Sequence, residues 1–168
     1  MSTYPTVVAG QDITADLLNS MMPQYKFKTA GTIRTNNTIA DDPDLTMQLE
    51  ANAIYLVEFR VVYSANTTPL RCQWTVPTGA TGIRNINGME QTGTDPTASL
   101  TRWGGASFGS AAAYGDGNSV STTVHLYEWA MVTTTNAGTC AFAWAQTATT
   151  AENTQVRAGS YMRVTRLA

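Results

Sequence analysis

The chain predicts an all-β fold, a jelly-roll-like antiparallel β-sandwich of about eight strands, preceded by an extended arm that carries a short helix. Three observations carry this expectation. Threonine supplies about one in six of the 168 residues, and a β-branched residue with low helix preference at that density favours strands with polar faces. Charged residues make up only 13% of the chain, against roughly 25% in an average soluble domain, so threonine, serine, asparagine and glycine occupy much of the polar surface. From residue 31 onward, apolar side chains recur at every second position in short runs separated by turn residues, which is the period of a half-buried strand.

The first 28 residues stand apart. Residues 4–10 read as extended, because Pro5 disfavours helix at the residue before it and Gly10 ends the apolar run. A short helix follows. Thr14 caps it, Asp16 lies in the first turn where negative charge suits the dipole, Leu17, Leu18 and Met21 fall on one side, and Pro23 stops it. A helix this short is marginal alone in water, so its apolar side must be covered by something. Residues 1–28 are therefore assigned to a docking arm with contact residues Val7, Val8, Ile13, Leu17, Leu18, Met21 and Met22, and residues 29–168 to the sandwich.

Within the sandwich, weaker strand signals at 31–35 and 45–50 flank Asp41, Asp42 and Asp44, which surround Pro43 and read as a turn. The strongest alternation is at 53–63. There Tyr55, Val57, Phe59, Val61 and Tyr63 share one face while Glu58 and Arg60 lie opposite. At 70–76, Cys72, Trp74 and Val76 oppose Arg71, Gln73 and Thr75. Segments 83–89, 120–132, 138–146 and 156–167 complete the set, and in 138–146 Cys140, Phe142 and Trp144 face one way with small alanines facing the other. Two stretches, 78–82 and 104–119, read as long loops. The second is a glycine, alanine and serine tract with Trp103, Phe108 and Tyr114 around it. Loops of that length in a compact domain are usually functional, so these three rings form the expected surface contact loop.

Catalytic chemistry has little to work with. The single histidine, His125, shares a strand face with Tyr127 and Trp129. A nucleophile triad would need it beside a serine or cysteine and an acid, yet there is no Gly-x-Ser-x-Gly elbow, and the nearest string, 108–112, lacks the second glycine. The acids do not pair across a cleft as a glycosidase requires. Cys72 and Cys140 make neither a disulfide framework nor a metal cluster and read as small core residues. No glycine-rich stretch is followed by the lysine of a phosphate loop. The expectation is a protein that is not an enzyme, with no catalytic residues, no cofactor and no metal.

A net charge of −2, with lysine only at 26 and 28, disfavours binding to nucleic acid or to an anionic membrane. No apolar run approaches the roughly 20 residues that span a bilayer. The opening Met1-Ser2-Thr3-Tyr4-Pro5 lacks the basic and apolar regions of a secretion signal, which predicts synthesis in the cytoplasm.

Several stretches also carry a family resemblance. The opening Val7-Val8-Ala9-Gly10-Gln11-Asp12-Ile13-Thr14-Ala15-Asp16-Leu17-Leu18-Asn19-Ser20-Met21 is one, and the middle Leu49-Glu50-Ala51-Asn52-Ala53-Ile54-Tyr55 is another. The ending Trp144-Ala145-Gln146, followed by Val156-Arg157-Ala158-Gly159-Ser160-Tyr161-Met162, is a third. Together they resemble small virion structural proteins of tailed bacteriophages, particularly those infecting actinobacteria. The resemblance implies a minor tail protein, fibre or capsid decoration protein: a β-sandwich, often a homotrimer, that sits in the virion against a tail or major capsid protein. The arm then suits attachment to the particle. The alternative expectation is a carbohydrate-binding adsorption module for host cell-wall glycan, with Trp103 and Tyr114 as the stacking rings.

Overall fold

The structure, a computed structural model, describes residues 7–94 and 101–168. Tyr4, Pro5 and the rest of residues 1–6 lie outside the described residues, as does the Asp16 side chain. The helix α1 spans Ala15–Met21, and Thr14 Oγ1 accepts from the Leu17 backbone N–H at 3.2 Å. No helix among the described residues is long and apolar enough to cross a membrane.

Twelve strands follow in chain order: β1 (Gln24–Phe27), β2 (Thr32–Arg34), β3 (Ala40–Leu49), β4 (Ile54–Ala65), β5 (Leu70–Thr75), β6 (Arg84–Met89), β7 (Thr101–Ala106), β8 (Ala112–Tyr114), β9 (Ser119–Thr133), β10 (Gly138–Gln146), β11 (Thr154–Val156) and β12 (Tyr161–Arg166). The eight from β3 to β10 form a nested hairpin, pairing β3 with β10, β4 with β9, β5 with β8 and β6 with β7, all antiparallel. Two further pairings, β10 with β5 and β9 with β6, roll that hairpin into two sheets. The orders β3-β10-β5-β8 and β4-β9-β6-β7 are those of a jelly roll. Six of the eight expected strands are among these, whereas 31–35 and 156–167 correspond to β2 and to β11 with β12, and β7 and β8 take the remaining two places. The four short ones widen the second sheet, β12 and β1 beyond β4, with β11 and β2 at the far end of β4.

The alternation in β4 now has its cause. Tyr55, Val57, Phe59, Val61 and Tyr63 are buried between the sheets, where Phe59 meets Trp74 edge-on at 4.7 Å and Phe142 at 5.5 Å. Cys72 and Cys140 are both buried and free. In the register Cys72 faces Trp144, four residues from Cys140 and so about 13 Å away along the strand, which is too far to bridge.

Four local expectations need correction. Residues 24–28, assigned to the arm, belong to the sandwich: β1 pairs with β12, and Lys28 is buried. Asp41, Asp42 and Asp44 do not form a turn but lie in β3, whose pairing with β10 shifts register near Pro43. Proline donates no ladder bond, so an edge strand with a bulge is where it fits. The tract 104–119 is not one loop, because β7 and β8 run through it. Finally, 156–167 is two strands. Gly159 at φ +90° and Ser160, whose hydroxyl donates to the Arg157 carbonyl at 2.8 Å, turn the chain between them.

Candidate functional site

The arm carries its apolar side chains into solvent. Val7, Val8, Ile13, Leu18, Met21 and Met22 are exposed and Leu17 is half-buried. Met22 edges a small hollow at the open end of the sandwich, beside Met47, Tyr55 and Val164.

The three rings of the expected contact loop part company. Trp103 is 74% exposed on β7. Phe108 and Tyr114 are corrections, because both are buried core residues. Phe108 stacks on Trp74 at 5.7 Å, and Tyr114 lies on the inner face of β8. A glycan-stacking pair of Trp103 and Tyr114 is therefore excluded.

Tyr114 points instead at the most polar place in the core, a cluster around Glu128. Both Glu128 and Arg84 are fully buried and form an ion pair at 2.8 Å. Trp74 Nε1 donates to Glu128 Oε2 at 2.6 Å, and the Tyr114 hydroxyl (2.5 Å) and Cys72 thiol (3.4 Å) donate to Oε1. Arg84 also donates to the carbonyls of Cys72 and Ser110. Burial is the largest influence on Arg84 and lowers its pKa, but Glu128, Cys72 and Tyr114 together outweigh it and the value rises. Burial, then the Glu128 charge, pushes Cys72 and Tyr114 up, so both stay protonated. Four donors thus engage the Glu128 carboxylate and tie the two sheets together, while Arg84 Nε is buried without a hydrogen-bond partner.

Lys28, Asp42 and Trp144 repeat the design. The Lys28 ammonium reaches Asp42 at 2.9 Å and Asp44 at 2.7 Å, and Trp144 Nε1 donates to Asp42 at 3.0 Å. The cation held by the aspartate cluster is the chain's own lysine. The first of these clusters left a trace in the sequence: Glu128 falls in the apolar phase of its strand with Val124, Leu126, Ala130 and Val132, and Arg84 falls in phase with Ile86. A charge on a core face calls for a buried partner.

The outer face of the larger sheet is the remaining candidate surface. Register places Phe27 opposite Tyr161, Tyr161 opposite Arg60, Arg60 opposite Tyr127, Tyr127 opposite Asn87 and Asn87 opposite Trp103. One row of side chains thus crosses β1, β12, β4, β9, β6 and β7. Along its middle lies a hollow of about 380 Å³ lined by Arg60, Asn87, His125, Tyr127, Gly159 and Tyr161. His125 is exposed there, at a sheet face as the alternation implied. The Tyr127 hydroxyl donates to Glu58 at 2.7 Å, and burial with that bond pushes its pKa up to about 12.

No family model matches this chain, and no curated protein does. Among solved structures it is similar to one of the Gx strain of infectious bursal disease virus, at 13% identity and a TM-score of 0.19, over 86% of this chain and 40% of that one. It is also similar to the VP2 subviral particle of infectious bursal disease virus, at 12% identity and a TM-score of 0.19, with the same coverage. The chain spans less than half the length of either. Likenesses at this level say nothing of function, and the jelly-roll assignment stands on strand order.

Proposed function

We propose that the protein is a non-enzymatic structural component of a tailed bacteriophage virion. In this reading it is a homotrimer of jelly-roll subunits displayed on the particle exterior, as a minor tail or capsid decoration protein, and attached through its N-terminal arm. The observation that carries the reading is a core that closes without residues 7–23. In that segment Val8 is 62%, Ile13 59% and Met22 61% exposed, on an arm that leaves from strand β1 at the edge of the larger sheet. Exposed apolar side chains gathered on one segment mark a surface that another molecule covers. The sequence resemblance to virion proteins is carried in part by the same segment. The Glu128 carboxylate supports a non-enzymatic role, since it is fully buried and already engaged by four donors of the core.

The test is incorporation. Particles grown with full-length protein should carry it, and particles grown with a chain lacking residues 1–23 should not, while the two purified proteins melt alike. Shortened protein recovered on particles at the full-length level would overturn attachment through the arm.

A further inference from the structure

Arg60 is a cation without a counter-charge. Its guanidinium lies 4.5 Å over the centre of the Tyr127 ring, and among the described residues it forms no ion pair and no side-chain hydrogen bond. The nearest carboxylate on its own strand face, Glu58, is taken by Arg163 at 2.5 Å and by the Tyr127 hydroxyl. Stacking on the ring holds the planar group in place while its N–H edges stay available, an arrangement suited to a carboxylate or phosphate.

The chemistry on either side of Arg60 is equally particular. The row ends in two open rings, Trp103 (74% exposed) and Phe27 (63% exposed), and Tyr161 touches Phe27 at 6.0 Å between centroids. Between the rings lie Arg60 and Asn87, with His125 beside them. Five strand spacings make the row about 24 Å long. Aromatic residues and arginine are also enriched at protein interfaces, so the spacing of the groups, not their composition, decides what the row fits. Here Arg60 and Asn87 stand on either side of Tyr127 and separate its ring from those of Tyr161 and Trp103. That order suits a chain of sugars, whose C–H faces stack on rings and whose hydroxyls need donors and acceptors.

We propose that this row binds an acidic saccharide, with sugar faces on Trp103, Tyr161 and Phe27, hydroxyls on Asn87 and His125, and the carboxylate or phosphate on Arg60. The site is independent of the arm, so it stands or falls separately from attachment to a particle.

The test uses the full-length protein and three probes: pentagalacturonate for a carboxylate, phosphorylated maltopentaose for a phosphate, and maltopentaose as the neutral control. Binding is read by tryptophan emission and calorimetry. Saturable binding of either acidic probe but not the neutral one is expected, and which acid binds identifies the source of the charge. Arg60→Gln should weaken it about tenfold or more, and Trp103→Ala should remove most of the emission change, with melting unaltered in both. No saturable binding of either acid, equal affinity for maltopentaose, or binding indifferent to both substitutions would overturn the proposal. So would a fall in solution mass on Arg60→Gln or Trp103→Ala, which would make the row a contact between copies of this chain.

Discussion

Glu128 receives donors from three strands, Arg84 on β6, Trp74 and Cys72 on β5, and Tyr114 on β8. Removing its charge while keeping its shape leaves the Arg84 guanidinium buried and uncompensated. Glu128→Gln is therefore expected to lower the unfolding free energy by about 3–5 kcal/mol, read as a lower urea midpoint at unchanged slope. Replacing both members, Arg84→Met with Glu128→Leu, should recover only part of that loss, because Trp74 Nε1 and the Tyr114 hydroxyl are left buried without their acceptor. An unchanged midpoint for Glu128→Gln would mean that the pair contributes nothing. The neighbouring thiols and phenols set the pH response. Burial pushes Cys140 up to about 12, and Cys72, Tyr63 and Tyr114 move the same way. Each is an acid held neutral in the fold, so its contribution is complete below its unfolded pKa and is lost as pH rises through that value toward the folded one. For the thiols the loss begins near their ordinary value of 9.0 and amounts to about 1.4 kcal/mol per pH unit for each. Urea midpoints should hold to about pH 8 and fall above about pH 9, and Cys72→Ala with Cys140→Ala should remove most of the fall between about pH 9 and 10, below the ordinary pKa of 10.0 at which Tyr63 and Tyr114 begin to contribute. Such pairings were only half legible in the sequence. Phase showed that Glu128 and Arg84 face inward, but their partners come from strands 12 to 56 residues away, a separation no local pattern records.

Strands β4, β5, β9 and β10 were legible because each combines inward-facing rings and aliphatics with a short period-two pattern. Strands β7 and β8 were not, because they are built largely from glycine and alanine, whose alternation carries no apolar signal. The small residues have a packing reason. A Cβ on Gly88 would lie 2.7 Å from the Tyr114 ring, so glycine in β6 makes room for the tyrosine that reaches Glu128. Strand β1 escaped notice for another reason: it has four residues, exposed throughout, so neither face marks it as strand. Its boundary with the arm is testable by two truncations. Loss of residues 1–23 removes no strand and no core residue among the described residues and should change the urea midpoint little. Loss of residues 1–28 also removes β1 and Lys28, leaving Asp42 buried without its ammonium, and should cost about 3–5 kcal/mol. Equal stability of the two truncated proteins would place β1 and Lys28 outside the cooperative unit.

At the scale of the molecule, the two outer faces of the sandwich differ in kind. The smaller sheet presents Thr46, Gln48, Arg71, Gln73 and Thr75 over buried alanines, with the Arg71 guanidinium held by the Asn37 carbonyl, whereas the larger presents the row of rings with Arg60 among them. The contrast follows from strand order and register, which bring together Phe27, Arg60, Tyr127 and Trp103 from four separate segments. The sequence reading chose Trp103 correctly as exposed but paired it with Tyr114, because nearness along the chain stood in for nearness on the sheet. A jelly roll also keeps free edges, and here they include β1 and β7 on the larger sheet and β8 on the smaller. Closed cyclic assembly is a common way to cover such edges, which is why a trimer is expected of the sandwich itself and not of the arm. Light scattering on the purified full-length protein should give three times the 18.0 kDa chain mass. The protein lacking residues 1–23 should still be a trimer, because the arm is directed at the particle and not at its own copies. A full-length protein that is monomeric would overturn the homotrimer, and a trimer that dissociates without the arm would move the subunit contact from the sandwich to residues 7–23.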